Sequence, residues 1–447
     1  MLTKSPSTQD QLSFYSTFEE QLNHSHPLYV LAHHIRWKIF EDAFGKHYSQ
    51  DFGAPSKPIR LMVALVILKH VRNLSDESVV EQWAENAYYQ YFSGEKVFAS
   101  KEPCVPTELV EFRKRVGEEG VELILKESIH VNGKDGQEKE GTTDTTVQEK
   151  NITFPTDSKL HKKIINRCKG IAEREEIELR QTYTRTLKKL SLDQRFRNHP
   201  QNYSRARKAD KKIKTIAGRL IRELERKLPA SHGYLNDLEL FKKVLFQKRD
   251  DKQKIYSLHE SHTQCISKGK EYKKYEFGSK VSITRTKTTG VIIGALNIPK
   301  NDYDGHTLGP ALEQQQRLTG HVLENDFVDR GYRGVKKVLG TNIIIPSNHS
   351  HLSPYQKQKM RKGFRRRAAI EPAISHLKSD HRLSRNFYKG IIGDNINVML
   401  AAAAMNFKRM MNKWKNNPLF LFFVRWLRNL SYQLSYLTIC RQPKMTF

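Results

Sequence analysis

Three acidic residues stand in three separate settings of this chain: Asp144 in Thr-Thr-Asp-Thr-Thr, Asp329 in Val-Asp-Arg-Gly-Tyr-Arg-Gly, and Glu371 in Arg-Arg-Arg-Ala-Ala-Ile-Glu-Pro. Each is a hard oxygen ligand of the kind that holds divalent ions against a phosphodiester. Asp144 lies among β-favouring threonines, where a carboxylate is costly to bury unless it is paired or binds metal. Asp329 is expected to close a strand, and Gly331 follows two residues later. Its side chain then emerges at the carboxyl edge of a sheet, where open α/β folds place ligands; an Asx-type cap also explains an Asp before a turn. Phe364, Arg367, Glu371 and Lys378 follow offsets of three, four and seven, which predicts one face of one helix bent near Pro372. That face sets a carboxylate between two cations, although an ordinary salt-bridged helix surface has the same pattern.

The rest of the composition names the partner of such a site. Lys and Arg number 77 against 48 Asp and Glu, a formal charge of +29 on 447 residues. Such a chain repels itself unless a polyanion screens it, and nucleic acid is the obvious polyanion; a ribosome-associated factor or an anionic-lipid binder is the bland alternative. Cys104, Cys168, Cys265 and Cys440 form no Cys-x-x-Cys pair, which argues against structural zinc and disulfides and fits a reducing cytosol. The N-terminus has no apolar core of signal-peptide length, and no stretch approaches the ~20 apolar residues of a membrane span. The expected location is therefore the cytoplasm, in association with the nucleoid, with no membrane partner.

The elements that must position these residues read as follows. Residues from about 25 to 130 are helical: Leu61, Leu65 and Leu68 repeat at helical spacing, Ser75-Asp76-Glu77 opens a helix running to about Tyr91, and Pro106-Thr107-Glu108 opens another. This region, 1–130, is expected to be a helical domain, either a helix-turn-helix reader of a DNA end or a packing and dimerisation module. A polar, glycine-bearing stretch from His130 to Gly141 marks a boundary, and a strand around Thr143 to Val147 follows. From Lys159 to about Gln247 helix formers dominate, with an apolar stripe at Ile213, Ile216, Leu220, Leu224 and Leu228. Arg205, Arg207, Lys208, Lys211 and Lys212 crowd this stretch with few acids to pair at i,i+4, which favours phosphate contact over a merely solvated face.

Strands are expected at Lys254 to His259, Glu276 to Arg285, Val291 to Ile298, Val322 to Asp329 and Asn342 to Ile345, with a hairpin turn at Lys287 to Gly290. Helices are expected from Asp304 to about Arg317, from about Tyr355 to Arg382 and from Asp394 to Trp414. His259-Glu-Ser-His262 is too tightly spaced for a helical zinc motif and reads as a strand end. The pattern predicts an α/β fold: a mixed sheet with helices on both faces over 131–415, a basic helical insertion at about 159–250, and a C-terminal amphipathic helical tail over 416–447 in which Trp426 and Leu430 pack inward.

The motifs together resemble the bacterial insertion-sequence transposases of the DDE superfamily, in the insertion-sequence-five branch. The resemblance rests on Asn73-Leu-Ser-Asp-Glu77, Tyr88-Tyr-Gln-Tyr-Phe92, Thr143-Asp-Thr-Thr-Val-Gln-Glu-Lys150, Phe154-Pro-Thr-Asp157, Tyr275-Glu-Phe-Gly278, Tyr303-Asp-Gly-His-Thr-Leu308 and Asp329-Arg-Gly-Tyr-Arg-Gly334. The family's tyrosine, arginine, glutamate and lysine signature falls on Phe364, Arg367, Glu371 and Lys378, with Phe364 replacing the tyrosine.

The resemblance implies an RNase-H-like catalytic domain and a triad of Asp144, Asp329 and Glu371 that holds two Mg²⁺ ions, with Mn²⁺ as substitute. It further implies that Arg367, Lys378 and Phe364 meet double-stranded DNA near the scissile phosphate, with Arg330 and Arg333 on the basic loop beside it. Asp304, His306 and Tyr332 are supporting residues. The implied activity is metal-dependent cleavage at terminal inverted repeats and strand transfer into target DNA by a synaptic homodimer. Two other readings remain: a catalytically silent DNA-binding regulator of transposition, and another RNase-H-like, structure-specific nuclease.

Overall fold

The computed structural model describes residues 17–49, 52–53, 55–229, 233–248, 250–267, 274–346 and 353–416. The tail expected beyond 416, Trp426 and Leu430 included, lies outside them.

Seven helices come first: α1 (Phe18–Gln21), α2 (Pro27–His34), α3 (Trp37–Phe44), α4 (Ile59–Val71), α5 (Asp76–Glu85), α6 (Ala87–Phe92) and α7 (Pro106–Val131). The helix expected to run from Ser75 to Tyr91 is two, because the Asn86 side chain accepts from the amides of Tyr88 and Tyr89 and starts a new one. α4 is apolar on almost every side and correspondingly central, with every residue except Arg60 buried. Gly117, at φ 62°, breaks α7 in its middle, a conformation open to glycine without penalty.

The chain then enters the sheet with β1 (Glu140–Lys150) and leaves it for four helices, α8 (Asp157–Arg174), α9 (Thr184–Asp193), α10 (Pro200–Lys227) and α11 (Leu235–Phe246). The stripe Ile213, Ile216, Leu220, Leu224 and Leu228 is buried, and with Ile164, Cys168 and Phe241 it forms a core of its own. The insertion between two sheet strands is thus a separately packed helical unit.

Return to the sheet comes later than the strand expected at Lys254 to His259. There the Gln247 side chain donates to Ile255 O and accepts from Ile255 N, taking the backbone groups a neighbouring strand would use. His259 and His262 therefore lie in turns rather than at a strand end. The first strand after the insertion is β2 (Gln264–Ile266), followed by β3 (Glu276–Thr286) and β4 (Ile292–Ile298), then α12 (Asp304–Thr319), β5 (Asn325–Phe327), β6 (Lys337–Val338) and β7 (Thr341–Ile344). β5 is much shorter than the expected Val322 to Asp329.

The expected helix from Tyr355 to Arg382 is also two, α13 (Pro354–Arg367) and α14 (Ile370–Asp380). Pro372 cannot donate to the carbonyl of Ala368, and its ring crowds that carbonyl. Arg285 Nη1 donates to Ala369 O at 2.5 Å and fixes the break where it occurs. β8 (Arg385–Asn386) and α15 (Gly390–Lys415) complete the described chain.

The sheet runs β2-β3-β1-β5-β7-β6, with β4 also on β3 and β8 on the end of β1. β1 is antiparallel to β3 but parallel to β5, so the sheet is mixed. Its hydrophobic core is continuous with that of α2 to α7 through α15, whose run Ala401 to Ala404 is buried. Among the described residues no helix is long and apolar enough to cross a membrane.

Candidate active site

The register of β1 with β5 decides where the first two acids go. Thr142 pairs with Phe327 in parallel, so Asp144 and Asp329, each two residues further on, leave neighbouring strands at the same level. Asp144 Oδ1 accepts from Thr145 N at 2.7 Å. Past the end of β5, Asp329 Oδ1 accepts from Gly331 N at 2.8 Å and caps the single 3₁₀ turn Arg330–Tyr332. Asp329 is thus both the turn cap and the acid at the sheet edge.

The third acid arrives from the other side of the helix break. Phe364 on α13 packs its ring on Phe327, 5.7 Å between centroids at 79°. Arg367, the last residue of α13, then reaches Asp144 Oδ2 at 3.6 Å and Glu371 Oε1 at 3.9 Å. The single helical face expected for Phe364, Arg367, Glu371 and Lys378 is therefore divided between two helices, although Arg367 still spans the break. The Glu371 side chain is 67% exposed, against 17% for Asp144. Lys378 is half-buried on α14, and Arg330 and Arg333 are exposed beyond Asp329. These two arginines, Lys336, Ile343, Ile345 and Met360 line a cavity of about 720 Å³.

Asp304, expected only as a supporting residue, belongs to the same acidic group. It opens α12, accepting at Oδ1 from Thr145 Oγ1 at 3.1 Å and from Lys280 Nζ at 3.0 Å. A methyl group placed on Gly331 would lie 2.8 Å from Asp329 Oδ1 and 3.2 Å from Asp304 Oδ2, so the two carboxylates flank one glycine. Tyr332 lies beneath them, fully buried, and its hydroxyl has no partner among the described residues. Burial raises the Tyr332 pKa well above that of a free phenol, and the charges of Asp144, Asp304, Asp326 and Asp329 raise it further. His306 is exposed and packs edge-on against Tyr303 at 5.6 Å, away from this group.

Lys280 and Asp326 carried a signal that the motifs concealed. Each is a buried ionisable residue within a strand, a placement that is costly without a partner. Lys280 finds Asp304 and the carbonyl of Asp302. Asp326, fully buried, has its pKa pushed up to about 7 by desolvation, and the Thr143 hydroxyl offsets part of this from beyond ordinary hydrogen-bond distance.

The donor set of carboxylate oxygens suits a hard divalent ion such as Mg²⁺. Among the described residues no three His, Cys, Asp or Glu side chains are close enough to hold one ion as they stand. Arg367 lies between two of the acids, as counter-ion to Asp144 and Glu371. On α10, Arg205, Arg207, Lys208, Lys211, Lys212, Lys214, Arg219 and Arg222 are all exposed. None of the helix's three acids pairs with these eight cations: Asp210 pairs with Arg197, Glu223 with Lys227 and Glu225 with Lys242, although Arg205 lies 3.8 Å from Asp193.

Residues 16–115 match the family described as "Transposase domain (DUF772)", and residues 346–411, which include Glu371, match "Transposase DDE domain". The chain thus carries two regions similar to transposase domains, one at each end of the described residues. A protein of Rhizobium meliloti described as uncharacterized protein ORF8 in the nfe locus is 37% identical over 203 residues, covering 44% of this chain and 98% of that relative. No solved structure matches the chain.

Proposed function

We propose that this chain is a transposase of the insertion-sequence-five branch and uses an RNase-H-like domain over 131–415 to bind the terminal inverted repeats of its element, cut them and join them to target DNA. Two observations support the reading: the register that sets Asp144 and Asp329 at one level of neighbouring strands, and the reach of Arg367 to both Asp144 and Glu371. These three side chains would hold the divalent ions, Mg²⁺ or in its place Mn²⁺. Such ions supply activation of water or a terminal 3′-hydroxyl and stabilisation of the leaving oxygen, without a protein nucleophile.

The chain's own residues do the positioning. Arg367, with a cation's choice between carboxylate and phosphate, turns to the scissile phosphate as Glu371 swings inward from its exposed position. Lys378 meets the same strand, and Phe364 offers a ring where the signature it resembles has a tyrosine hydroxyl. Arg330 and Arg333 bind backbone phosphates beside Asp329, and the exposed cations of α10 follow the duplex further away. The helices of 1–130 contribute end recognition or the contact between two copies in a synaptic dimer. Asp144→Ala, Asp329→Ala and Glu371→Ala should each abolish cleavage of labelled element ends while end binding in chelator survives. Retained cutting by any of the three refutes the assignment.

A further inference from the structure

Two of the sequence motifs have no role at the acidic centre, Phe154-Pro-Thr-Asp157 and Tyr275-Glu-Phe-Gly278, and the fold brings them together. Part of each is explained by packing. Thr156 Oγ1 accepts from Lys159 N at 3.3 Å and starts α8, and Asp157 pairs with Lys254 at 3.2 Å. Gly278 lets β3 approach β1 where any Cβ would lie 1.9 Å from Gln148 O.

Packing does not explain the aromatic rings. Phe154 is 60% exposed and Tyr275 42%. The Phe154 ring is nonetheless fixed: it stands edge-on to Phe277 at 5.3 Å and 87°, and Phe277 is backed by Tyr256, also at 5.3 Å. Cations are bound along the same segment and beside Tyr275. Lys159 Nζ donates to Phe154 O at 3.2 Å, Lys163 Nζ to Thr153 Oγ1 at 3.3 Å, and Arg385 Nη2 to Ile152 O at 3.4 Å, while Lys274 lies over the Tyr275 ring at 5.7 Å. An exposed aromatic ring held rigid within a positive rim is the arrangement that takes a nucleobase by its face and the flanking phosphates by charge.

We propose that Phe154 stacks on an unpaired base of the DNA strand, a contact separate from the acidic centre. This inference rests on DNA being the substrate. At about 3.3 Å per residue the ten residues from Asp144 keep the two Cα atoms within ~33 Å, about one turn of duplex, a span that a single DNA molecule can bridge.

The test uses the full-length chain in chelator with two probes: a blunt duplex, and a fork of the same duplex carrying 2-aminopurine in its unpaired arm. The wild type should quench the fluorophore. Phe154→Ala should lose the quenching and bind the fork roughly five- to a hundredfold more weakly, with duplex affinity unchanged within about twofold, and Phe154→Trp should restore both. Fork binding by Phe154→Ala equal to wild type, or an equal loss on both probes, overturns the stacking contact alone. Wild-type protein that binds neither probe overturns the DNA reading as well.

Discussion

The Arg367 guanidinium lies 3.6 Å from Asp144 Oδ2, where the last turn of α13 meets the middle of β1. Both side chains are largely shielded, at 15% and 17% exposure, so water screens the pair little. Arg367 is thus a counter-ion of Asp144, and a divalent ion bound by that carboxylate would compete with it. Arg367→Ala should therefore bind Mn²⁺ more tightly, by about tenfold in a calorimetric titration. The same variant should cleave about a hundredfold more slowly in single-turnover assays, since the phosphate loses its cation. Weaker ion binding would show that Arg367 is not the counter-ion.

Gly331 separates the carboxylates of Asp329 and Asp304. In Gly331→Ala the new methyl meets Asp329 Oδ1 at 2.8 Å and Asp304 Oδ2 at 3.2 Å, both of them ends of side chains that can move aside. Thermal stability should hardly change, whereas cleavage should fall by about two orders of magnitude, because a displacement of ~1 Å in a reacting group costs that much. An active Gly331→Ala enzyme would remove Asp329 from the working centre.

What could be read in the sequence, and what could not, follows from the range of the forces involved. The strand around Asp144, the apolar stripe of α10 and the helix containing Ala401 to Ala404 depend on local propensity and periodicity, and they stand where expected. The break between Arg367 and Glu371 was legible only as a bend near Pro372, not as a division into two helices. It depends jointly on Pro372 and on a hydrogen bond from Arg285, 84 residues away in sequence. The irregular backbone at 254–259 arises because one side chain, Gln247, competes for the backbone of Ile255. Asp304 was hidden for a similar reason: an acid in a first helical turn looks sufficient as a cap, and only the fold brings Gly331 and Asp329 to it.

Asp326 makes stability depend on pH. Its carboxyl is held near pKa 7 in the folded chain by burial, against 3.8 when solvated, so between these values the folded state binds the extra proton. Stability from this group is complete at low pH, declines as pH rises from about 4 to about 7, and stays low above. Asp326→Asn should raise stability at pH 8 by about 2–4 kcal/mol and flatten the slope between pH 4 and 7. Urea unfolding at several pH values measures both effects, and an unchanged slope would assign the pH dependence to other groups.

Lys150, at the end of β1, is almost fully buried and donates to Asp394 Oδ1 at 2.5 Å, with Glu260 3.2 Å away on its other side. Asp394 also accepts from Asn386 at 2.6 Å and contacts His262 at 2.9 Å, so one carboxylate ties α15 to β1, β8 and the turn after the insertion. Asp394→Ala leaves two buried polar groups short of a partner and should cost about 3–5 kcal/mol. Asp394→Asn, which keeps the shape, should cost less. Equal melting temperatures for the wild type and Asp394→Ala would show that the network is not holding these elements together.

The exposed cations of α10 should appear in the salt dependence of binding rather than in the chemistry. Arg205 to Arg226 covers about 31 Å of helix at 1.5 Å per residue, close to one turn of duplex. Lys208, Lys211, Lys212 and Arg219 also line a groove of about 530 Å³ with Tyr183 and Thr186 of the preceding segment. Each lysine that neutralises a phosphate contributes about one unit to the slope of log K against log salt. Replacing Lys208, Lys211 and Lys212 by alanine should lower that slope by about 2–3, equally for cognate and unrelated duplexes, while single-turnover cleavage at saturating DNA stays within about threefold of wild type. A loss confined to cognate ends would instead make α10 a reader of sequence, and an unchanged slope would leave its charges facing only solvent.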